Sequence, residues 1–228
     1  MTEVWQGFIK AIELIISLDP EVVEIAVRSL QISLTSALLA SLICIPIGSL
    51  IHFHHFPGKR ILINVIQTFF SVPTVVIGLF VFVLFSKAGP IGGVNIMFTP
   101  TIMVIGQMIL VTPILLGLTI SALSGVDKAI RDTALSLGAS DFQAIVVILN
   151  EARYAVVAAV IMGFGRAISE VGIALMIGGN IRGFTRVLTT AMLLETSKGE
   201  LELSIALGII LLSLALIVNV ALNRIQQR

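Results

Sequence analysis

Arg166 and Glu170 are two charged residues in an otherwise apolar stretch of the sequence, and they stand four positions apart. Side chains at positions i and i+4 share one face of an α-helix, so the guanidinium group and the carboxylate can pair. If the stretch crosses a bilayer, an isolated charge there costs at least about 2.5 to 3.5 kcal/mol, and neither side chain is expected to face lipid. Two interpretations stay open, a structural ion pair between helices and a translocation gate or subunit interface. Because Glu170 would repel a dianion unless Arg166 neutralised it, we favour a gate or interface over a high-affinity anion site.

Three histidines form a second group that could do chemistry. His52, His54 and His55 belong to the segment H-F-H-H-F. No cysteine or carboxylate is near them in sequence, and histidines this close together cannot readily all coordinate one ion. We therefore predict membrane-interface anchoring and no metal site. Cys44 is the only cysteine of the sequence and is predicted to be a small buried apolar side chain.

The composition indicates which solvent surrounds these groups. The chain has 228 residues, of which 57% are hydrophobic and 12% are charged, and its mean hydropathy is +1.09. Such a composition does not make a water-facing surface, and it excludes secreted and disordered proteins. A formal net charge of +1 gives no field that would attract a polyanion, so we expect no nucleic-acid partner.

Five stretches are long and apolar enough to cross a bilayer, which takes about 20 residues. Each is predicted to be wholly helical, because lipid offers the backbone polar groups no other partner. The predicted fold class is therefore that of an all-α polytopic membrane protein. We expect the protein in the cell (inner) membrane. The predicted spans cover residues 25–51, 61–86, 100–123, 154–179 and 203–223.

The chain divides into a short N-terminal segment, residues 1–24, a single transmembrane domain, residues 25–223, and a tail, residues 224–228. The first segment has an apolar stripe at helical spacing, but Lys10 and Glu13 interrupt it and it is too short to cross. We predict that it is an interfacial helix that contacts membrane lipid.

The distribution of lysine and arginine predicts the orientation of the spans, because cytoplasmic loops carry the excess of these residues. One side of the membrane would hold seven of them and the other side five. This places the N-terminus outside and the C-terminus in the cytoplasm. The two sets are Lys59, Arg60, Lys128, Arg131, Arg153, Arg224 and Arg228, against Lys10, Lys87, Arg182, Arg186 and Lys198.

Polar residues and prolines mark two of the spans. Ser71 and Thr74 flank Pro73 in the second span, and Gln107 precedes Pro113 in the third. Proline removes a backbone hydrogen bond, so we expect two kinked helices whose polar sides enclose a passage. Ordinary hydrogen bonds between helices remain the alternative for each residue.

A loop after the fourth span carries Asn180, Arg182 and Arg186 beside two glycines. Guanidinium and free N–H groups suit tetrahedral anions, so the loop could pass an oxyanion onward from a donor protein. It could equally contact only an acidic surface of that protein.

Residues 124–153 form the longest cytoplasmic segment and contain a helical pattern. Apolar residues from Val126 to Leu137 recur along one helical stripe, with predicted pairs of Asp127 with Arg131 and of Lys128 with Asp132 on the other face. Ser124 and Asp127 have the spacing of a capping box, Gly138 suits a helix end, and Ser140 can cap a second helix to about Leu149. This pattern predicts two helices joined by a glycine turn, which would either lie on the membrane surface or be gripped by a soluble partner.

The segment Asp132–Phe142, D-T-A-L-S-L-G-A-S-D-F, resembles the E-A-A-x-x-x-G-A-S-x-W signature of membrane subunits of ABC importers with the type I fold. The resemblance implies that this segment is a pair of coupling helices seated in a groove of the ATP-hydrolysing subunit. Small residues would allow close approach there, and one aromatic would fill a pocket. The implied ATPase-coupling residues are Asp132, Ala134, Gly138, Ala139, Ser140 and Phe142.

Two further stretches are similar to molybdate, sulfate and tungstate permeases. They are Ser71–Gly92, with the pattern P-x-V-x-x-G followed by G-P-x-G, and Gly165–Ile181, with R-x-x-x-E-x-G and G-N-I. The short N-terminal region looks most like the tungstate type. The resemblance implies a homodimeric permease that receives an oxyanion from an external binding protein. A separate cytoplasmic ATPase dimer would bind ATP and Mg, because this sequence lacks a G-x-x-x-x-G-K-[ST] phosphate loop.

The predicted function is therefore a transport subunit without catalytic residues and without a cofactor of its own. Tungstate is the first candidate substrate, with molybdate, sulfate or another small anion as alternatives. The translocation route is predicted to involve Ser71, Thr74, Gln107, Arg166, Glu170, Asn180 and Arg182. An ion-coupled secondary transporter is a rival, although such proteins usually have internal repeats and none is evident here. An intramembrane enzyme is a weaker rival, because the histidines and Glu170 fall at different predicted depths.

Overall fold

The computed structural model describes the backbone of residues 2–226 and the side chains of residues 4–220, 223 and 224. This part of the chain is helical and contains no strand. The helices, numbered in chain order, are α1 Thr2–Ile16, α2 Pro20–Phe53, α3 Lys59–Thr68, α4 Thr74–Phe85, α5 Pro100–Ser124, α6 Lys128–Ser136, α7 Asp141–Glu151, α8 Arg153–Ile168, α9 Gly172–Gly178, α10 Leu188–Lys198 and α11 Leu201–Gln226.

The longest helix, α2, begins earlier than the predicted first span. Asp19 caps it by accepting hydrogen bonds from the backbone N–H groups of Glu21 and Val22, and Pro20 occupies the first helical position, where its missing N–H costs nothing. At 1.5 Å per residue, its 34 residues extend about 50 Å, well beyond a hydrocarbon core of about 30 Å. α2 therefore also reaches into the aqueous regions.

Three helices, α2, α5 and α11, are each long and apolar enough to cross a membrane, and the number rises to five if each of two bent helix pairs is one span. These three coincide with the predicted first, third and fifth spans. The prediction that every span is wholly helical is wrong for the second and the fourth.

The second predicted span is broken at Pro73. α3 continues as a short 3-10 turn at Phe69–Ser71, after which Val72 is extended and α4 leaves at an angle of 99°. Proline has no N–H to donate and disfavours helical backbone at the residue before it, so Val72 and Pro73 interrupt the helix. The result is a sharp corner where the sequence predicted a kink.

The fourth predicted span is broken between Ile168 and Gly172. α8 ends at Ile168, the chain then passes through Ser169, Glu170 and Val171, and the short helix α9 begins at Gly172. At its N-terminal end, α8 meets α7 at 68°. The charged residues of this span therefore lie at a helix break and not in the middle of a continuous helix.

At the centre of the bundle α2, α5 and α8 pack against one another, and α9 packs on α5. Close approach depends on small residues. A Cβ atom on Gly106 of α5 would lie 2.6 Å from side-chain atoms of Ile173 and Ile177, both of α9. Because glycine has no Cβ, the buried side chains of α9 can pack directly on the α5 backbone and hold the helix break in place.

The N-terminal helix α1 lies along the first turns of α11. Ala11 and Leu14 are buried in that contact, whereas Trp5 and Phe8 stack on each other and remain exposed. The predicted interfacial depth of α1 stays a prediction, and its exposed apolar face is suited to it.

Candidate functional site

The segment 124–153 folds as two short helices joined at Gly138, and we call α6 and α7 together the hairpin. Gly138 has a φ of +88°, a left-handed conformation that favours glycine. Its N–H donates to Leu135 O and that of Ala139 donates to Ala134 O, at 3.0 and 3.1 Å. These two bonds form a Schellman ending, which fulfils the predicted helix stop at Gly138.

The second helix of the hairpin starts as the sequence predicted. The Ser140 side chain accepts from Gln143 N at 3.3 Å, and Ser140 N donates to Gln143 Oε1 at 2.8 Å. This is a reciprocal capping box. At the start of α6 the cap is Asp127, which accepts from Ala129 N, so the proposed box between Ser124 and Asp127 is wrong.

The predicted ion pairs on α6 are also wrong. Neither Asp127 with Arg131 nor Lys128 with Asp132 is among the salt bridges of the described side chains; Arg131 instead lies 3.5 Å from Asp141 at the start of α7. Asp127 is engaged as the helix cap, which explains why it does not follow the i,i+4 rule. The charge on Arg131 therefore links the two helices of the hairpin.

The hairpin presents a pair of large apolar side chains to solvent. Leu137 is 84% exposed and Phe142 is 73% exposed. Asp132 and Ser140 are exposed beside them, and Ala134 and Ala139 are half-buried. A groove of about 730 Å³ runs along the hairpin and is lined largely by small and apolar residues. The sequence pattern placed Leu137 on the apolar stripe of the first helix but did not single it out as an exposed side chain beside Phe142.

The hairpin is attached to the bundle at the carboxyl end of α2. The Arg131 guanidinium lies 6.0 Å from the centre of the Phe53 ring, and the His52 Nδ1 atom is 3.3 Å from Ser124 Oγ. Ile148 of α7 packs with Leu123 of α5 in a buried apolar cluster. A displacement of the hairpin would therefore act directly on the ends of α2 and α5.

Arg166 and Glu170 form the predicted ion pair, with 2.9 Å between Nη1 and Oε2. The Glu170 side chain is 2% exposed and that of Arg166 is 33% exposed. The other carboxylate oxygen of Glu170 accepts from Ile173 N at 3.0 Å, and Glu170 O accepts from Thr189 Oγ1 at 2.8 Å. Glu170 thus joins the end of α8, the start of α9 and the start of α10.

Thr74 lies close to this helix break. Its Oγ1 atom is 2.8 Å from the position that a Cβ atom on Gly172 would take, and the same position is 3.3 Å from Glu170 Oε1. Ser71 is exposed in the 3-10 turn before α4. The structure therefore brings Thr74, Arg166 and Glu170 together at the two helix breaks.

Gln107 and Asn180 lie in other contacts. Gln107 is buried, and its Oε1 accepts from Ser36 Oγ at 3.2 Å, which links α5 to α2. Asn180 adopts a φ of +50° after α9 and donates to Thr190 O at 3.4 Å, while its buried Oδ1 has no described partner. A role of either residue in the translocation route stays a prediction.

The loop at residues 181–186 is fastened to the start of α2. Glu21 pairs with Arg182 and with Arg186, and Arg28 donates to Gly183 O at 2.9 Å. The hydrogen bond from Arg182 to Glu21, reinforced by the charge of that carboxylate, raises the pKa of the Arg182 guanidinium. Both arginines predicted to meet an oxyanion are thus held by one carboxylate.

A family model described as binding-protein-dependent transport system inner membrane component matches residues 44–228. The chain belongs to this family. The match includes the hairpin and the Arg166–Glu170 pair, so both are parts of a membrane-embedded transport component and not of an enzyme.

Two relatives are similar to this transport component over almost the whole length of both chains. It is 37% identical to the tungstate uptake system permease protein TupB of Peptoclostridium acidaminophilum, with all of both chains covered. It is 40% identical to a probable anion ABC transporter permease protein of Haloferax volcanii, over 90% of this chain and 91% of the other.

Solved structures show the same fold. In the crystal structure of a bacterial alginate ABC transporter in complex with an alginate pentasaccharide-bound periplasmic protein, one chain matches with a TM-score of 0.79 and 16% identity. The match covers all of this transport component and 87% of that chain. This confirms the predicted type I ABC importer fold.

Proposed function

We propose that this transport component is the permease subunit of an ATP-driven ABC importer for an oxyanion, with tungstate as the substrate. The observation that carries the proposal is the hairpin, whose exposed Leu137 and Phe142 beside a groove suit a soluble partner. Large apolar side chains surrounded by polar ones are typical of the centre of a protein interface. The similarity to a tungstate uptake permease over the full chain supports the substrate.

The partner at the hairpin would be a cytoplasmic ATPase dimer. That dimer, and not this chain, would bind ATP and Mg. An external binding protein would deliver the oxyanion at the opposite end, where Glu21, Arg182 and Arg186 meet. A second copy of this chain would complete the pathway on a two-fold axis, since the five predicted spans of one copy enclose too narrow a bundle. The N-terminus would be outside and the C-terminus in the cytoplasm.

The transport cycle would use the broken helices. Closure of the ATPase dimer on ATP would draw two hairpins together, and the contacts of Arg131 with Phe53 and of Ile148 with Leu123 would pass this movement to α2 and α5. α5 packs on both α8 and α9. The break at Glu170 would then act as a joint that opens the permease outward, and ATP hydrolysis would return it to the inward state.

The substrate could instead be molybdate, sulfate or another small anion. The polar groups around Glu170 would not bind an anion tightly, because the Glu170 carboxylate already pairs with Arg166 Nη1. The binding protein would therefore provide most of the selectivity. The test measures tungstate uptake by cells or proteoliposomes that contain the whole transporter, with molybdate or sulfate added as a competitor. The anion that competes most strongly with tungstate identifies the alternative substrate.

The coupling role is tested by co-purification with the ATPase subunit from detergent. Gly138→Arg is expected to abolish retention of the ATPase, because an arginine is strained at a φ of +88° and distorts the turn that joins the two helices of the hairpin. The matched control is Gly93→Arg, at an outer-loop glycine that also has open space around its Cβ position but no positive φ.

Equal retention of the ATPase by wild type and Gly138→Arg would overturn the coupling assignment and favour the secondary-transporter alternative. ATPase retention without tungstate uptake, together with uptake of a different anion, would leave the coupling role intact and replace only the substrate.

A further inference from the structure

The helix α3 and the 3-10 turn that continues it have three distinct faces. On the packed face, Ile66 is buried and the Phe70 ring lies on α5, where a Cβ atom on Gly117 would be 2.4 Å from Phe70 Cζ. A second face is apolar and open, with Val65 45% exposed and Phe69 53% exposed. The third face is also exposed, and we call it the polar stripe. It consists of Arg60, Asn64, Gln67 and Ser71.

The polar stripe extends from one edge of the membrane to about its middle. Its residues follow the spacing i, i+4, i+7 and i+11, which places them on one side of a helix. Between Arg60 and Ser71 the chain rises about 16 Å, roughly half of the hydrocarbon core. Arg60 is at the predicted cytoplasmic edge. Ser71 precedes the corner at Pro73, after which Thr74 lies close to Glu170. The polar stripe therefore connects the helix break with the cytoplasmic edge.

The groups of the polar stripe are free to bind something outside this chain. In the part of the chain that the structure describes, the amides of Asn64 and Gln67 and the Ser71 hydroxyl make no side-chain hydrogen bond, and Arg60 makes no ion pair. The neighbouring Thr68 hydroxyl, by contrast, donates to Asn64 O at 2.8 Å. Lipid tails cannot accept or donate hydrogen bonds, so unpaired polar groups that face them are strongly unfavourable. The polar stripe therefore does not face lipid, whereas the apolar face of α3 can.

We infer that the polar stripe lines a water-filled exit route, along which a hydrated oxyanion passes from the helix break at Glu170 to Arg60. The stripe offers amide and hydroxyl donors and one guanidinium group, and it contains no carboxylate, so it favours anions over cations. The guanidinium of Arg60 differs from that of Arg166, which Glu170 already neutralises. This inference rests on the proposed import function and assigns part of the route to residues of α3.

Direct contact with a second copy is the other way to cover the polar stripe. A two-fold contact brings the same surface of both copies together. In such a contact Arg60 would oppose its own counterpart, and the stripe provides no carboxylate to separate the two charges. Like charges at short distance repel each other. Water between the copies satisfies the same polar groups without this repulsion, and we therefore favour the water-filled route.

The test measures where water reaches α3. Single cysteines are introduced by Asn64→Cys and Gln67→Cys on the polar stripe, and by Val65→Cys and Phe69→Cys on the apolar face. All four positions are exposed in the single chain, so the two pairs are matched. Inverted membrane vesicles that contain the whole transporter without ATP are treated with a water-soluble methanethiosulfonate. Wild type gives the background, because its one cysteine, Cys44, is buried.

The two cysteines of the polar stripe are expected to react at least about tenfold faster than those of the apolar face, because the reagent attacks the thiolate, which forms in water. Equal rates in the two pairs would overturn the inference. The absence of reaction at all four positions would also overturn it, since the polar stripe would then be closed by protein.

A second measurement tests whether the anion uses this route. Gln67→Leu is expected to lower ATP-driven uptake of tungstate at least about fivefold, because it removes a hydrogen-bonding group from the route. Val65→Leu, on the apolar face, is the control and should leave uptake unchanged. Normal uptake by the Gln67→Leu variant would overturn the anion route. If wild type itself takes up no tungstate, only the proposed substrate fails, because the labelling experiment needs no substrate.

Discussion

Glu170 accepts a hydrogen bond from Arg166 at 2.9 Å while its second carboxylate oxygen accepts from the backbone N–H of Ile173. One side chain therefore neutralises a charge on α8 and caps the first turn of α9. The carboxylate is almost fully buried, whereas the guanidinium is one-third exposed. Loss of Glu170 should disturb the helix break more than loss of an ordinary surface pair.

Glu170→Ala is expected to destabilise the permease by about 3 kcal/mol. The substitution leaves the partly buried Arg166 guanidinium without its carboxylate partner and the start of α9 without its cap. Glu170→Gln should cost less, since its amide oxygen can still accept from Ile173 N. The measurement is thermal unfolding of the purified protein in detergent. Glu151→Ala is the control, because Glu151 is exposed and makes no salt bridge among the described side chains. Equal losses in the Glu170→Ala and Glu151→Ala variants would contradict this role.

Gly106→Ala is expected to destabilise the bundle by about 1 to 3 kcal/mol through overpacking. The new methyl group would lie 2.6 Å from atoms of Ile173 and Ile177, which are fully buried and cannot move freely. Gly165→Ala is the matched control, because that helical glycine has open space at the Cβ position. Alanine there should be neutral or stabilising by up to about 1 kcal/mol. The measurement compares the unfolding curves of the two variants in the same detergent. An unchanged stability of the Gly106→Ala variant would show that α9 does not pack tightly on α5.

Phe142→Ala is expected to weaken binding of the ATPase subunit about thirtyfold, which corresponds to about 2 kcal/mol for an aromatic anchor at an interface. Because Phe142 is 73% exposed, its removal should leave the fold of the permease unchanged. Surface plasmon resonance with the immobilised permease measures the affinity. Phe80→Ala, at a similarly exposed phenylalanine of α4, should bind as wild type does. An unchanged affinity of Phe142→Ala would remove this residue from the interface.

Glu21→Gln is expected to increase cleavage by trypsin after Arg182 by up to about fivefold, equivalent to about 1 kcal/mol for a solvent-exposed ion pair. The reason is that Glu21 holds both Arg182 and Arg186, so its neutralisation releases the loop. The rate of appearance of the cleaved fragments measures the effect. Glu200→Gln, at an exposed carboxylate without a described salt bridge, serves as the control. A cleavage rate that matches the control would show that other contacts hold the loop.

The turn of the hairpin was predictable because its signals are local. Gly138 and Ser140 determine a helix stop and a helix start through backbone conformation and short-range hydrogen bonds, and both are recognisable from neighbouring residues. The i,i+4 pairing of Arg166 with Glu170 is local in the same way. The other predicted pairs of α6 failed because Asp127 was needed as a cap and because Asp141, brought close by the turn, competed for Arg131.

The sequence by itself determined that this is an all-α membrane protein and where the hairpin turns, because hydropathy and backbone propensity act within a few residues. Only the tertiary structure decided that Leu137 is exposed, that Gln107 bonds to Ser36, and that Glu21 holds Arg182. The partners in these last two contacts are 71 and 161 residues apart. No local pattern encodes such contacts, since they arise when whole helices pack and bring distant side chains within hydrogen-bond distance.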